Sequence, residues 1–66
     1  MDTTYRNLVL NRFRTSEALN TAALHLEINK PKDPVVAHVV TLLRKEADSL
    51  IQLGLKELTD AHSSQG

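Results

Sequence analysis

Two segments of the chain carry hydrophobic residues at helical spacing, and a short proline-containing stretch separates them. In the first segment the steps between apolar residues are mostly three or four, as on one face of an α-helix. These apolar residues are Tyr5, Leu8, Val9, Phe13, Leu19, Ala22, Ala23 and Leu26. Thr3 or Thr4 is suited to cap the helix start, because a hydroxyl oxygen can accept a hydrogen bond from a free backbone N–H. The pattern predicts one helix over about residues 4–29.

The apolar pattern weakens in the middle of this segment, at "RFRTSE" (12–17). Polar residues interrupt it there, and Ser16 is a residue type that can cap a new helix beginning at Glu17. A single helix is the preferred interpretation, with a break near Thr15 as the alternative.

The stretch "NKPKDPVVAH" (29–38) holds both prolines of the chain. Asp33 followed by Pro34 is a helix-start signal, since the carboxylate accepts from unpaired N–H groups and proline lacks a donor that would be unpaired anyway. We therefore expect a turn at 30–33 and a second helix over about 34–61. The polar segment 62–66 is expected to be disordered.

A heptad seam runs along the second helix, with apolar or small residues at 4-3-4-3-4-7 spacing. Beside it lies a second apolar row, formed by Val39, Leu42, Ile51, Leu55 and Leu58. One antiparallel helix covers only a narrow seam, so a stripe this wide needs further neighbours. The sequence therefore predicts an all-α protein, an antiparallel helical hairpin that dimerises into a four-helix bundle. The predicted oligomer interface comprises Val36, Val40, Leu43, Ala47, Leu50, Ile51, Gly54 and Leu58.

Gly54 lies within the seam, where glycine is a poor helix former. Its presence indicates either the close approach of another helix at that layer or fraying of the helix toward its C-terminus.

With 66 residues, the chain has room for one small domain spanning 1–66. Cysteine is absent, which excludes disulfides and the usual zinc sites, and no segment has the pattern of a signal peptide or membrane span. A cytoplasmic location is expected. No pair of the three histidines stands three or four residues apart, and there is no glycine-rich phosphate loop. We expect no metal, no cofactor and no enzymatic activity.

Charge balances over the whole chain, with 8 basic and 8 acidic residues, but it is unevenly placed. The segment "TTYRNLVLNRFRTS" (3–16) gathers three arginines with both aromatic residues and two asparagines. Arginine combined with an aromatic ring suits a protein hot spot and also suits phosphate and base contacts. The predicted partner-binding residues are Tyr5, Arg6, Asn11, Arg12, Phe13 and Arg14. The alternative is a solvated helix face with Phe13 packed in the bundle.

Two stretches resemble the Rop/Rom plasmid copy-number regulators. "EADSLIQLGLKEL" (46–58) is similar to the end of that family's second helix, with Ala47, Asp48 and Leu50 in matching places. "LNRFRTS" (10–16) is similar to its first helix, which carries the RNA-binding face. The resemblance implies a hairpin dimer that binds RNA kissing-loop complexes, with Asn11 and Phe13 in contact with RNA.

The leading functional hypothesis is a small non-enzymatic regulator that binds and modulates a protein partner, with inhibition as the expected effect, as accessory proteins of phages and plasmids do. The second hypothesis is an RNA-binding regulator that uses the same face. A third is binding of a small anionic ligand, such as a nucleotide, between protomers.

Overall fold

Two antiparallel α-helices form a hairpin in the computed structural model, which describes the backbone of residues 3–65 and the side chains of residues 3–61. Helix α1 spans Thr3–Asn29 and helix α2 spans Pro34–Gln65. They pack against each other along their length. This confirms the prediction of an all-α helical hairpin.

Helix α1 is continuous through the polar stretch at its centre. Ser16 does not cap a second helix, because its hydroxyl donates a 2.7 Å hydrogen bond to the carbonyl oxygen of Phe13 within the same helix. That bond satisfies the hydroxyl internally, so the side chain can be buried against α2 with only 3% of its surface exposed.

Asp33 caps the start of α2, as its sequence context indicates. Its carboxylate Oδ1 accepts from the backbone N–H groups of Val35 at 2.9 Å and Val36 at 3.3 Å. Helix α1 ends with a 2.9 Å bond from the N–H of Lys30 to the carbonyl of Leu26. Helix α2 continues to Gln65, beyond the predicted end near residue 61, because no proline or glycine interrupts the chain between residues 55 and 65. Gly66 lies outside the described residues.

Side-chain contacts between the helices define their register. Arg12 forms an ion pair with Glu57, and the Phe13 ring lies over Gly54. One heptad further along α1 and one heptad back along α2, Leu19 lies level with Leu50, and the next heptad brings Leu26 level with Leu43. Between these layers the residues are small and buried: Ser16, Ala23, Ala47 and Gly54, with Val9 and Val40 toward the two ends. Small residues at these levels allow the two helices to approach closely.

The hairpin is long and thin, with extents of 50 × 16 × 11 Å and a radius of gyration of 15.2 Å. A compact domain of this length would have a radius of gyration of about 11 Å. The accessible surface is 5055 Å², against roughly 4200 Å² for a compact monomer of this mass. A single hairpin therefore leaves much more surface in water than a globular chain of its size.

Candidate functional site

Half of the predicted partner-binding residues are engaged inside the hairpin. The Tyr5 hydroxyl donates to the backbone carbonyl of Glu57, and the Arg12 guanidinium pairs with the Glu57 carboxylate. Nε of Arg12 and Oε1 of Glu57 contact each other and are shielded from solvent. Tyr5 and Arg12 thus both hold the N-terminal half of α1 to Glu57 near the end of α2.

Phe13 packs over the one glycine in the interior of α2. A Cβ atom added at Gly54 would lie 2.9 Å from Cζ and 3.0 Å from Cε1 of the Phe13 ring. Ordinary carbon contacts are longer than this, so the ring occupies the space that a side chain at Gly54 would fill. The buried glycine is therefore explained by close approach, and the group that approaches is an aromatic side chain of the same chain.

The environment of Tyr5 raises the pKa of its phenol above the ordinary value of 10.0. Burial is the main cause, since it disfavours the phenolate, and the carboxylates of Glu57 and Asp60 act in the same direction. The Arg12 guanidinium opposes them by favouring the phenolate. The net effect extends to higher pH the range in which the hydroxyl is protonated and can donate to the Glu57 carbonyl.

The other three predicted residues, Arg6, Asn11 and Arg14, are exposed on the outer side of α1. Arg6 and Arg14 stand on one face at a spacing of two helical turns, with Leu10 between them. The Leu10 side chain is 38% exposed. Neither arginine makes an ion pair with any residue in 3–61. We call Arg6, Leu10, Asn11 and Arg14 the outer arginine face.

Glu57 belongs to this region although sequence reasoning did not include it among the candidate site residues. The sequence does indicate that Glu57 faces α1, because this residue interrupts the apolar seam of α2 at heptad spacing. Arg12 interrupts the equivalent seam of α1, in which Val9, Ser16 and Leu19 are its heptad neighbours. Two oppositely charged residues in facing seams are expected to meet.

The predicted oligomer-interface residues divide by size. Val40, Ala47 and Gly54 are buried within the hairpin, whereas the larger Val36, Leu43, Leu50, Ile51 and Leu58 are half-buried. A helical wheel at 100° per residue, placed on the register above, brings several incompletely covered apolar residues of both helices to one side of the hairpin, whereas the exposed Leu10, Leu24 and Leu55 lie on other sides. We call this side the leucine face: Leu8, Leu19 and Leu26 of α1, with Val39, Leu42, Leu50 and Leu53 of α2. The Arg44–Glu27 ion pair and the Phe13 ring lie on the opposite side.

An open pocket of about 260 Å³ lies near the turn, away from the outer arginine face. Val36, Val40 and Pro31 form its apolar wall, and the paired Arg44 and Glu27 lie at its edge. Within the described residues no group of three or more potential ligands is placed to hold a metal ion. Neither described helix has the combination of length and apolarity needed to cross a membrane.

Comparison of the chain with protein-family models, curated proteins and solved structures finds no match.

Proposed function

We propose that this protein is a non-enzymatic regulator that acts as a homodimeric four-helix bundle and binds a protein partner through its outer arginine face. Binding would modulate the partner, most simply by blocking the surface that it occupies. The observation that carries the proposal is the exposed row of Arg6, Leu10 and Arg14 on a continuous helix.

The chemistry of this row suits a protein interface. Arginine is enriched at hot spots because its guanidinium is planar, weakly hydrated and able to bind a carboxylate with two hydrogen bonds. Leu10 adds an apolar centre between the two charges. The matching partner surface is an apolar pocket flanked by aspartate or glutamate side chains.

The inner residues contribute by making the face rigid. Tyr5, Arg12 and Phe13 tie α1 to α2 along the same stretch of α1 that carries the outer arginine face. A preorganised surface loses less conformational entropy on binding, so more of the contact energy appears as affinity. In this proposal these three residues support the site, whereas Arg6, Asn11 and Arg14 contact the partner.

The uncovered leucine face supports the homodimer. The accessible surface exceeds that of a compact monomer by an amount close to the roughly 800 Å² that each partner contributes to a standard interface. A second copy is the occupant that is always present at matching concentration, and a two-fold contact buries the same face on both copies. The outer arginine face points away from the leucine face, so the dimer would present it twice.

A variant-controlled capture experiment tests partner binding. Tagged protein is incubated with a lysate of its host cells, with and without nuclease, and captured proteins are identified by mass spectrometry. We expect nuclease-resistant capture of a partner that is lost in Arg6→Ala/Arg14→Ala and kept in Lys32→Ala/Lys45→Ala. The control removes the same charge from exposed positions elsewhere. Equal capture by both double variants would contradict the proposal.

RNA binding is the alternative, and the same experiment separates it. The outer arginines and the similarity to the Rop/Rom regulators both favour it as the second candidate. RNA-mediated capture would disappear on nuclease treatment, and RNA affinity should fall steeply between about 50 and 200 mM salt because bound counterions are released. Direct protein contact through Leu10 should persist over that range. If the ligand is instead a small anion, the molecule that binds should be found in the low-molecular-weight fraction of the lysate.

A further inference from the structure

We infer that the two copies in the proposed homodimer align with their turns at the same end, so that the Arg12–Glu57 pair of one copy lies against the Arg12–Glu57 pair of the other. The inference rests on the homodimer of the proposed function and specifies its geometry. The observation behind it is the position of this ion pair, which lies in line with the apolar residues of the leucine face.

The pair lies in line with the leucines of the leucine face. On α1, Arg12 stands one heptad before Leu19, and on α2, Glu57 stands one heptad after Leu50. Residues one heptad apart point in nearly the same direction, with a drift of about 20°. Along the face, from the open end toward the turn, the layers are therefore Arg12–Glu57, then Leu19–Leu50, then a third layer of leucines.

With the turns at opposite ends, the pair would meet leucines. The two-fold axis of a fully overlapped dimer would then cross the face near the central layer, Leu19–Leu50. Such an axis exchanges the outer layers, so Arg12 and Glu57 of one copy would face Leu26 and Leu43 of the other. Sliding the copies until the two pairs meet would leave roughly the third of each hairpin nearest its turn uncovered.

With the turns at the same end, each layer meets its own copy. Leucine would then pack on leucine in two layers, and the four charged side chains would lie together at one level. The ion pair within one hairpin runs through Nε of Arg12. The guanidinium has further N–H donors on its terminal nitrogens, and these suit a second carboxylate.

Desolvation decides between the two alignments. In the single hairpin the Arg12 and Glu57 side chains keep 27% and 17% of their surface exposed. Covering them with leucine would remove this water and supply no polar partner, which is unfavourable for an ion pair. Covering them with the second pair replaces the lost water with charged hydrogen bonds. A buried polar residue in an apolar seam is known to specify alignment in helical assemblies for this reason.

Spin-label distances test the alignment directly. The chain has no cysteine, so Lys32→Cys places one label per protomer at the turn. Double electron–electron resonance should give a distance of about 10–25 Å, set by helix spacings of 8–10 Å. The opposite alignment predicts a distance close to the 50 Å length of the hairpin. Gln52→Cys, near the middle of the hairpin, should give a distance well below that length in both alignments and reports dimer formation.

Two variants test whether the pair sets the alignment. In the Lys32→Cys background, Arg12→Leu/Glu57→Leu should still dimerise but give a mixture of short and long distances. The exchanged pair, Arg12→Glu/Glu57→Arg, should restore the single short distance. A short distance that is unchanged in the leucine variant would overturn the role of the pair.

Sedimentation equilibrium on the same samples separates the two proposals. A dimer with a long turn-to-turn distance would overturn the alignment while the homodimer stands. A monomer at micromolar concentration would overturn the homodimer and the alignment with it.

Discussion

Replacement of Gly54 by alanine sets two effects of similar size against each other. Alanine is favoured over glycine in a helix interior by about 1 kcal/mol, because glycine loses more backbone entropy on folding. The new methyl group would meet the Phe13 ring at 2.9 Å. Inserting a methyl group into a packed site usually costs about 1–3 kcal/mol. The atoms in the way are the far end of a half-buried ring, so we expect a cost near the low end.

The expected net effect of Gly54→Ala is therefore close to zero in the wild-type chain. In a Phe13→Ala background the steric conflict is absent, and the same substitution should stabilise the fold by about 1 kcal/mol. The coupling between the two positions should thus be about 1 kcal/mol or more. This coupling is a firmer prediction than either single effect, because the change in helix propensity cancels from it.

A double-mutant cycle measures the coupling. Urea denaturation of the wild type, both single variants and the double variant would be followed by circular dichroism. All four proteins must be compared at one concentration, because association of the folded form raises apparent stability. Additive effects, within about 0.3–0.5 kcal/mol, would show that Phe13 does not fill the space at Gly54 and would refute the reasoning.

Three further predictions concern single side chains. Asp33→Ala should lower the free energy of unfolding by about 1 kcal/mol in urea denaturation, because two N–H groups lose their acceptor, whereas Asp33→Asn should cost much less. The raised pKa of Tyr5 means that its contribution to stability is complete below pH 10 and is lost as pH rises through the folded-state pKa. Chemical denaturation from pH 8 to pH 11 should therefore show a smaller loss of stability in Tyr5→Phe than in the wild type, and equal losses would contradict this. Ser16→Ala should change the free energy of unfolding by no more than about 0.5 kcal/mol in either direction, because the hydroxyl bonds only within its own helix; a large loss would indicate a role in joining the helices.

The helices and the turn could be predicted from the sequence because their signals are local. The Asp33–Pro34 start signal acts over neighbouring residues, and the seam of α2 repeats at helical spacing. Such patterns are complete within one element, so no knowledge of the partner helix is needed to interpret them. The same holds for the continuity of α1, since Ser16 bonds to a residue of its own helix.

The candidate site depends on contacts between the two helices, and these are harder to predict from the sequence. Sequence reasoning grouped Arg12 and Phe13 with Arg6 and Arg14 because all four lie in one arginine-rich segment. The structure divides the group, since Arg12 and Phe13 face α2 and the other two face solvent.

What the sequence by itself determined was the fold class, the two helices and the turn between them, because each is specified by residues close together in the chain. Tertiary structure alone decided which face of α1 meets α2. That choice depends on the register, in which residues more than forty positions apart become neighbours. The role of Gly54 is to leave space for the Phe13 ring, and the role of Glu57 is to pair with Arg12. Both roles depend on a residue of the other helix. Steric fit and charge pairing act between side chains at contact distance, so their outcome appears only once the two helices are packed.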